Sequence, residues 1–145
     1  LDAFFGSVGS FFSADWQPTE GVYEVNPPFN FPIMDKCATR LLKFMAVADS
    51  LQQSLAFVVV MPCCQAPQRR LAVREGNSEA SATPLERLLK SAHCSGSVVL
   101  RGQGHSYVHG LAHQRGEGAE RLMRSQGTTT CLVLQTAAHR AHAPC

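Results

Sequence analysis

Residues 55–61 read LAFVVVM, apolar at every position and closed by Pro62. Apolarity on both faces predicts a central strand covered by helices on both sides, as in parallel sheets. The chain before it supplies the rest of one structural unit. GVYEV at 21–25 reads as a short strand. Asn30 and Pro32 then offer a cap and a first-turn proline. Behind them Met34, Cys37, Ala38, Leu41, Met45 and Ala48 recur at helical spacing, which predicts a helix over 33–50. Strand, helix, strand in this order is a βαβ unit, and such crossovers are almost always right-handed. The expected fold class is therefore α/β with a mainly parallel sheet.

The remaining segments fit around that unit. Residues 1–20 are rich in aromatics, glycine and serine, and read as a loop that packs rather than a regular element. Residues 65–82 read as a mobile insertion of arginines, glycine and small polar residues. Thr83-Pro84-Leu85-Glu86 is a capping box with proline at the first helical position, and Leu85, Leu88 and Leu89 form that helix's apolar stripe. Ser97–Leu100 and Thr129–Gln135 read as two further strands joined by a Gly/His-rich connection. One domain over 1–137 with a frayed tail at 138–145 is expected, and no internal repeat is visible.

Composition narrows the function classes. A length of 145 residues, 45% hydrophobic and 17% charged, describes a globular chain able to bury a core. No apolar run approaches the roughly 20 residues needed to span a bilayer. The segment Leu1–Phe12 lacks a basic leader, so no signal peptide is expected, and a start at Leu1 rather than Met suggests a piece of a longer protein. The formal charge of +2 does not demand nucleic acid, yet ten of the thirteen basic residues are arginine, the better donor to phosphate. Arginines cluster at 69, 70 and 74, and again at 115, 121 and 124.

Cys37, Cys63, Cys64, Cys94, Cys131 and Cys145 form no C-x-x-C pair, and several lie in apolar segments. Free thiols in a reducing compartment fit better than disulfides or zinc. His105, His109 and His113 are spaced by four, as a metal-binding helix would need, but the glycines around them argue for a loop.

The feature that points to chemistry is EVNPPFNFP at 24–32. Double proline at a strand exit can be a plain stiff turn. It can also shape a site, because ligands of such sheets bind beyond the carboxyl ends of the strands, where Asn26-Pro27-Pro28-Phe29 leaves the first one. An exocyclic aromatic amine such as that of adenine is flat, weakly nucleophilic and far too weak an acid to be deprotonated first. Two acceptors that bind its N–H bonds favour a tetrahedral nitrogen and stabilise the charge that develops on attack. The Asn26 side-chain oxygen and the Pro27 carbonyl suit that role, Pro28 stiffens the backbone, and Phe29 can stack on the base. Asp2 and Glu24, isolated acids nearby, are candidate contacts for ribose or a cofactor amine. Arg69, Arg70, His105 and Tyr107 are candidate RNA contacts.

Asp/Asn/Ser-Pro-Pro-aromatic is the signature of amino-methyltransferases that use S-adenosylmethionine. DAFFGSVGSFF at 2–12, GVYEVNPPF, LAFVVVMP, TPLERLLK, the His105-Ser106-Tyr107 region and CLVLQ at 131–135 follow one family in order. The chain resembles the catalytic region of the phosphorylated-CTD-interacting-factor family, the cap-specific mRNA adenosine methyltransferases. The resemblance is strong over 2–62 and weak over 63–128. It implies a Rossmann-like S-adenosylmethionine-dependent core, a nuclear location, and capped RNA as substrate, with transfer to the adenosine next to the cap. It further implies a phosphorylated RNA polymerase II tail as a partner of regions outside this chain. By that resemblance Asn26, Pro27, Pro28 and Phe29 take the catalytic and base-stacking places, with Asn26 beside the cofactor.

Two departures stand out. Cys63-Cys64 replace the family's Glu-Trp after the central strand. No Gly-rich strand-to-helix loop is present either, since Gly6-Ser-Val-Gly9 and Gly102-Gln-Gly104 lack a preceding long strand and following helix. The chain thus resembles the carboxyl-terminal half of a catalytic domain, expected to be inactive alone. A methyltransferase of DNA or internal RNA adenine, and a degenerate module that binds capped RNA or polymerase tails, are the alternatives.

Overall fold

Strand β1, Gly21–Val25, lies parallel to β2, Leu55–Pro62, with Gly21 opposite Leu55 and Val25 opposite Val59. The computed structural model describes residues 9–63, 82–108, 122–125 and 127–142, with the side chains of 107–108, 122–124 and 142 excepted. Gly21 opens β1 at φ 106°, a left-handed conformation in which a side chain would be strained, and its amide donates to the Ser54 carbonyl at 2.8 Å.

Helix α1, Phe31–Ser50, joins β1 to β2. Its start follows from local chemistry. The Asn30 side chain accepts from the Ile33 amide at 3.4 Å, and Pro32 sits in the first turn. Met34, Cys37, Ala38, Leu41, Phe44, Met45 and Ala48 make the buried stripe, each side chain worth about 1.5–3 kcal/mol for the larger ones. The predicted βαβ unit is present, and the helix begins two residues earlier than its periodicity suggested.

Helix α2, Pro84–Leu89, carries the predicted capping box in full. Glu86 N–H donates to Thr83 Oγ1 at 3.2 Å, and Thr83 N–H donates to Glu86 Oε2 at 2.7 Å. Leu85 and Leu88 are buried, but Leu89 is 37% exposed, because the six-residue helix ends there and carries no further turn over the core. Arg87 ties α2 to α1 through Asp35 Oδ1 at 2.6 Å and Thr39 Oγ1 at 3.1 Å.

Strand β3, Cys94–Leu100, leads to a small antiparallel pair, β4 (Ser106–Val108) and β5 (Leu122–Arg124), and then to β6, Thr129–Gln135. The order in the main sheet is β1-β2-β6-β3. Here the expectation of a mainly parallel sheet fails. Only β1 and β2 are parallel; β6 inserts between β2 and β3 and is antiparallel to both. An apolar run reports burial between neighbours, not the direction of those neighbours.

The core lies on one face, where Leu55, Phe57, Val59, Met61, Leu132 and Leu134 meet α1 and α2. On the other face Val58, Val60, Cys131 and Val133 are only half-buried, so helices do not cover both sides of β2 among the described residues. Residues Ala137–His142 form helix α3, where a frayed tail was expected from 138 onward. Thr136 Oγ1 accepts from His139 N–H, Asp49 Oδ1 accepts from Ala137 N–H, and Arg140 donates to the Ala92 carbonyl at 2.7 Å. These bonds hold a segment whose sequence has no apolar stripe. The insertion expected at 65–82 falls outside the described residues except for its last position.

Candidate functional site

β1 ends in Val25, buried against the core, and the chain then leaves the sheet at its carboxyl end. Asn26 is exposed, Pro27 buried, Pro28 exposed, and Phe29 is 48% exposed. The Pro28 carbonyl accepts from Asn30 N–H at 2.7 Å, which turns the chain into α1. Among the described residues, neither the Asn26 side chain nor the Pro27 carbonyl is engaged in an internal hydrogen bond. Both acceptors remain available at the strand end.

They border an open cleft of about 260 Å³. Val25, Pro27, Ile33 and Cys37 supply its inner lining, and Glu24, Asn26 and Pro28 border it from the β1 exit. The remaining wall comes from the amino-terminal segment, through Phe11 and Phe12. Burial pushes the Cys37 thiol up to about 11, so it is uncharged at neutral pH and contributes an apolar surface rather than a nucleophile. Among the described residues, Asn26 and Glu24 are therefore the only polar side chains at the cleft, and Glu24 the only charged one.

The amino-terminal wall is held from behind. Arg40, on α1, donates through Nη2 to the Ser13 carbonyl and, at 2.9 Å, to the Trp16 carbonyl. Its guanidinium also lies 4.8 Å from the Phe44 ring centre. Phe11 meets Trp16 at 5.3 Å, Phe44 at 6.2 Å and Phe12 edge-on at 5.1 Å. Its described part, residues 9–20, has no regular structure, yet it packs, as the sequence suggested.

Of the residues singled out from sequence, Glu24, Asn26, Pro27 and Pro28 come together around the cleft. Phe29 is exposed nearby but is not among its lining residues. His105 stands at the same end of the sheet, beside Thr129 of β6, the strand next but one to β1. Its Nδ1 donates to the Arg101 carbonyl at 3.0 Å and its Nε2 pairs with Thr129 Oγ1 at 3.0 Å. An imidazole bonded at both nitrogens anchors a turn and must give up a bond before it can reach RNA. Cys63 is exposed just past β2. Asp2, Arg69, Arg70 and Cys64 lie outside the described residues, as do His109 and His113, and Tyr107 is described in its backbone alone.

Sequence reasoning missed Phe11, Phe12, Ile33 and Cys37 as cleft residues. The signal was present in the Phe doublet of GSFFSADW and in the four-residue spacing of Ile33 and Cys37 at the start of α1. Among the described residues no group of three or more His, Cys, Asp or Glu could hold a metal, and no helix is long and apolar enough to cross a membrane.

The cleft is smaller than the roughly 300–1,000 Å³ of whole-ligand pockets.

A family model described as phosphorylated CTD interacting factor 1 WW domain matches residues 1–110 of the 145. No curated protein matches the chain.

Proposed function

The chain belongs to the phosphorylated CTD interacting factor 1 family, and from that premise we propose that it carries the amine-binding side of an adenosine methyltransferase. The observation that supports this reading is the pair of unengaged acceptors, Asn26 and Pro27, beside an apolar cleft at the carboxyl end of β1. The amine of adenine directs its two N–H bonds at Asn26 Oδ1 and the Pro27 carbonyl. Both acceptors strengthen as positive charge develops on nitrogen, and neither has to take a proton before attack. Pro28 and the Asn30 cap hold that backbone in place. The methyl donor we propose for the whole protein is S-adenosylmethionine, held by residues other than those of this cleft. The Rossmann-like core, the cap-adjacent adenosine of mRNA and the nuclear location belong to the same proposal.

A second reading follows from the family's description, which names a WW domain and a phosphorylated tail. WW modules dock proline-rich segments in aromatic-lined grooves, and Phe11, Phe12 and Trp16 are aromatic. Against this, the matched residues contain a single tryptophan and supply three strands of a four-stranded α/β sheet, and Glu24 would repel phosphate at the cleft. The family's description supports binding to the phosphorylated tail, and these features leave the cleft itself to the amine reading.

The test is methyl transfer by the whole protein to capped RNA that begins with 2′-O-methyladenosine, against uncapped RNA and a phosphorylated tail peptide. Transfer that depends on Asn26 supports the proposal. Wild-type transfer by Asn26→Ala, or tail binding without any transfer, overturns it.

A further inference from the structure

We infer that Phe12 is the ring on which the bound base stacks, and that Arg40 is the positioning residue that sets this wall of the cleft. The inference rests on the amine-binding reading above and extends it to residues outside the Asn-Pro-Pro-Phe motif.

Three observations carry it. First, Phe12 is 43% exposed while lining the cleft, whereas its neighbour Phe11 is packed against Trp16 and Phe44. Phe11 meets Phe12 edge-on, with an interplanar angle of 88°. That geometry engages Phe12 by its edge or by one face, and its exposure leaves the rest of the ring open to a flat ligand. Second, the segment that carries Phe12 has no helix or strand to hold it. Arg40 replaces that scaffold, binding two of the segment's carbonyls from α1, the helix that also supplies Ile33 and Cys37 to the cleft. One helix thereby fixes two walls relative to each other. Third, the polar groups at the cleft select the ligand. The Asn26 oxygen and the Glu24 carboxylate accept hydrogen bonds, and among the described residues no cation lines the site. A flat heteroaromatic ring with amine donors fits; a phosphate does not. Adenine has that chemistry.

Trp16 is the single tryptophan of the chain and lies 5.3 Å from Phe11, so its emission reports on this wall directly. The experiment titrates adenosine into the 145-residue chain and follows Trp16 fluorescence, with melting temperature measured in parallel. Saturable binding is expected. Phe12→Ala should weaken it about 10- to 100-fold, the range of a lost base–aromatic stack, with little change in melting temperature. Phe12→Tyr should restore it. Arg40→Gln should weaken binding and also shift Trp16 emission before adenosine is added, which Phe12→Ala should not do.

Absence of adenosine binding, or equal affinity in wild type and Phe12→Ala, overturns the inference. An unshifted Trp16 spectrum in Arg40→Gln overturns the positioning role. The two proposals fail separately. Phe12-dependent adenosine binding without methyl transfer by the whole protein leaves the stacking ring standing and removes the enzyme. Methyl transfer with an unchanged KM in Phe12→Ala does the reverse.

Discussion

Asn26 is exposed and its side chain makes no internal bond among the described residues, so its identity matters little to stability. Asn26→Ala in the whole protein should leave the melting temperature unchanged and raise the methyl-transfer barrier by about 3–4 kcal/mol, by analogy with a lost oxyanion donor. Thermal melts and single-turnover rates check both halves. Phe29, nearly half exposed, should behave as a surface ring. Phe29→Ala should spare the fold, in contrast to the roughly 3–5 kcal/mol of a buried aromatic truncation. Any loss of RNA affinity, expected at about 1–3 kcal/mol, then measures a stacking contact beyond the cleft. Cys37 gives a pH prediction. Its folded value, about 11 against an ordinary 9.0, is raised, so the un-ionised thiol favours the fold below pH 9. That contribution is lost as pH rises from 9 to 11. Alkaline melts of wild type and Cys37→Ala should converge over that window. At this scale the sequence was readable where a residue's role is set by its neighbours in the chain, as in Asn26-Pro27-Pro28. It was unreadable where a wall is assembled from distant parts, as with Phe12, whose segment is held against the fold by Arg40 and by the contact of Trp16 with Tyr23.

At the scale of elements, legibility tracked how local the cause was. α1 and the capping box of α2 are written in side-chain spacing and in a four-residue motif, and both formed. Thr83→Ala should destabilise the protein by about 1 kcal/mol, within the 0.5–2 usual for such caps, while Thr83→Ser should not. Chemical denaturation midpoints would show it. α3 escaped notice because its cap is shared with residues far away in the chain, notably Asp49. β4 and β5 escaped because three-residue strands leave no period to detect. Strand β6 was located correctly, yet its direction was not, since pairing with β2 and β3 is a contact across dozens of residues.

For the molecule as a whole, among the described residues, the sheet has one covered face and one half-open face, and β3 forms an edge. Val98 and Val99, on opposite faces of that edge, are 55% and 57% exposed. Exposed apolar edges invite pairing with other chains, and a single charge is the usual deterrent. Val99→Lys should raise solubility, measured as the concentration at which light scattering sets in, while moving stability by no more than about 0.5 kcal/mol.

The strand order has a further consequence, which concerns time rather than shape. β2 and β3 do not touch as partners; β6 pairs with each of them, and Leu132 and Leu134 enter the core from it. A chain emerging from a ribosome can therefore assemble β1, α1 and β2 early, but that half must wait with one flank of β2 unpaired. At about 5–20 residues per second the wait from residue 62 to residue 135 lasts several seconds. A nascent chain halted before residue 129 should remain protease-sensitive and bind chaperones, and one halted with residue 135 clear of the exit tunnel should become resistant in a single step.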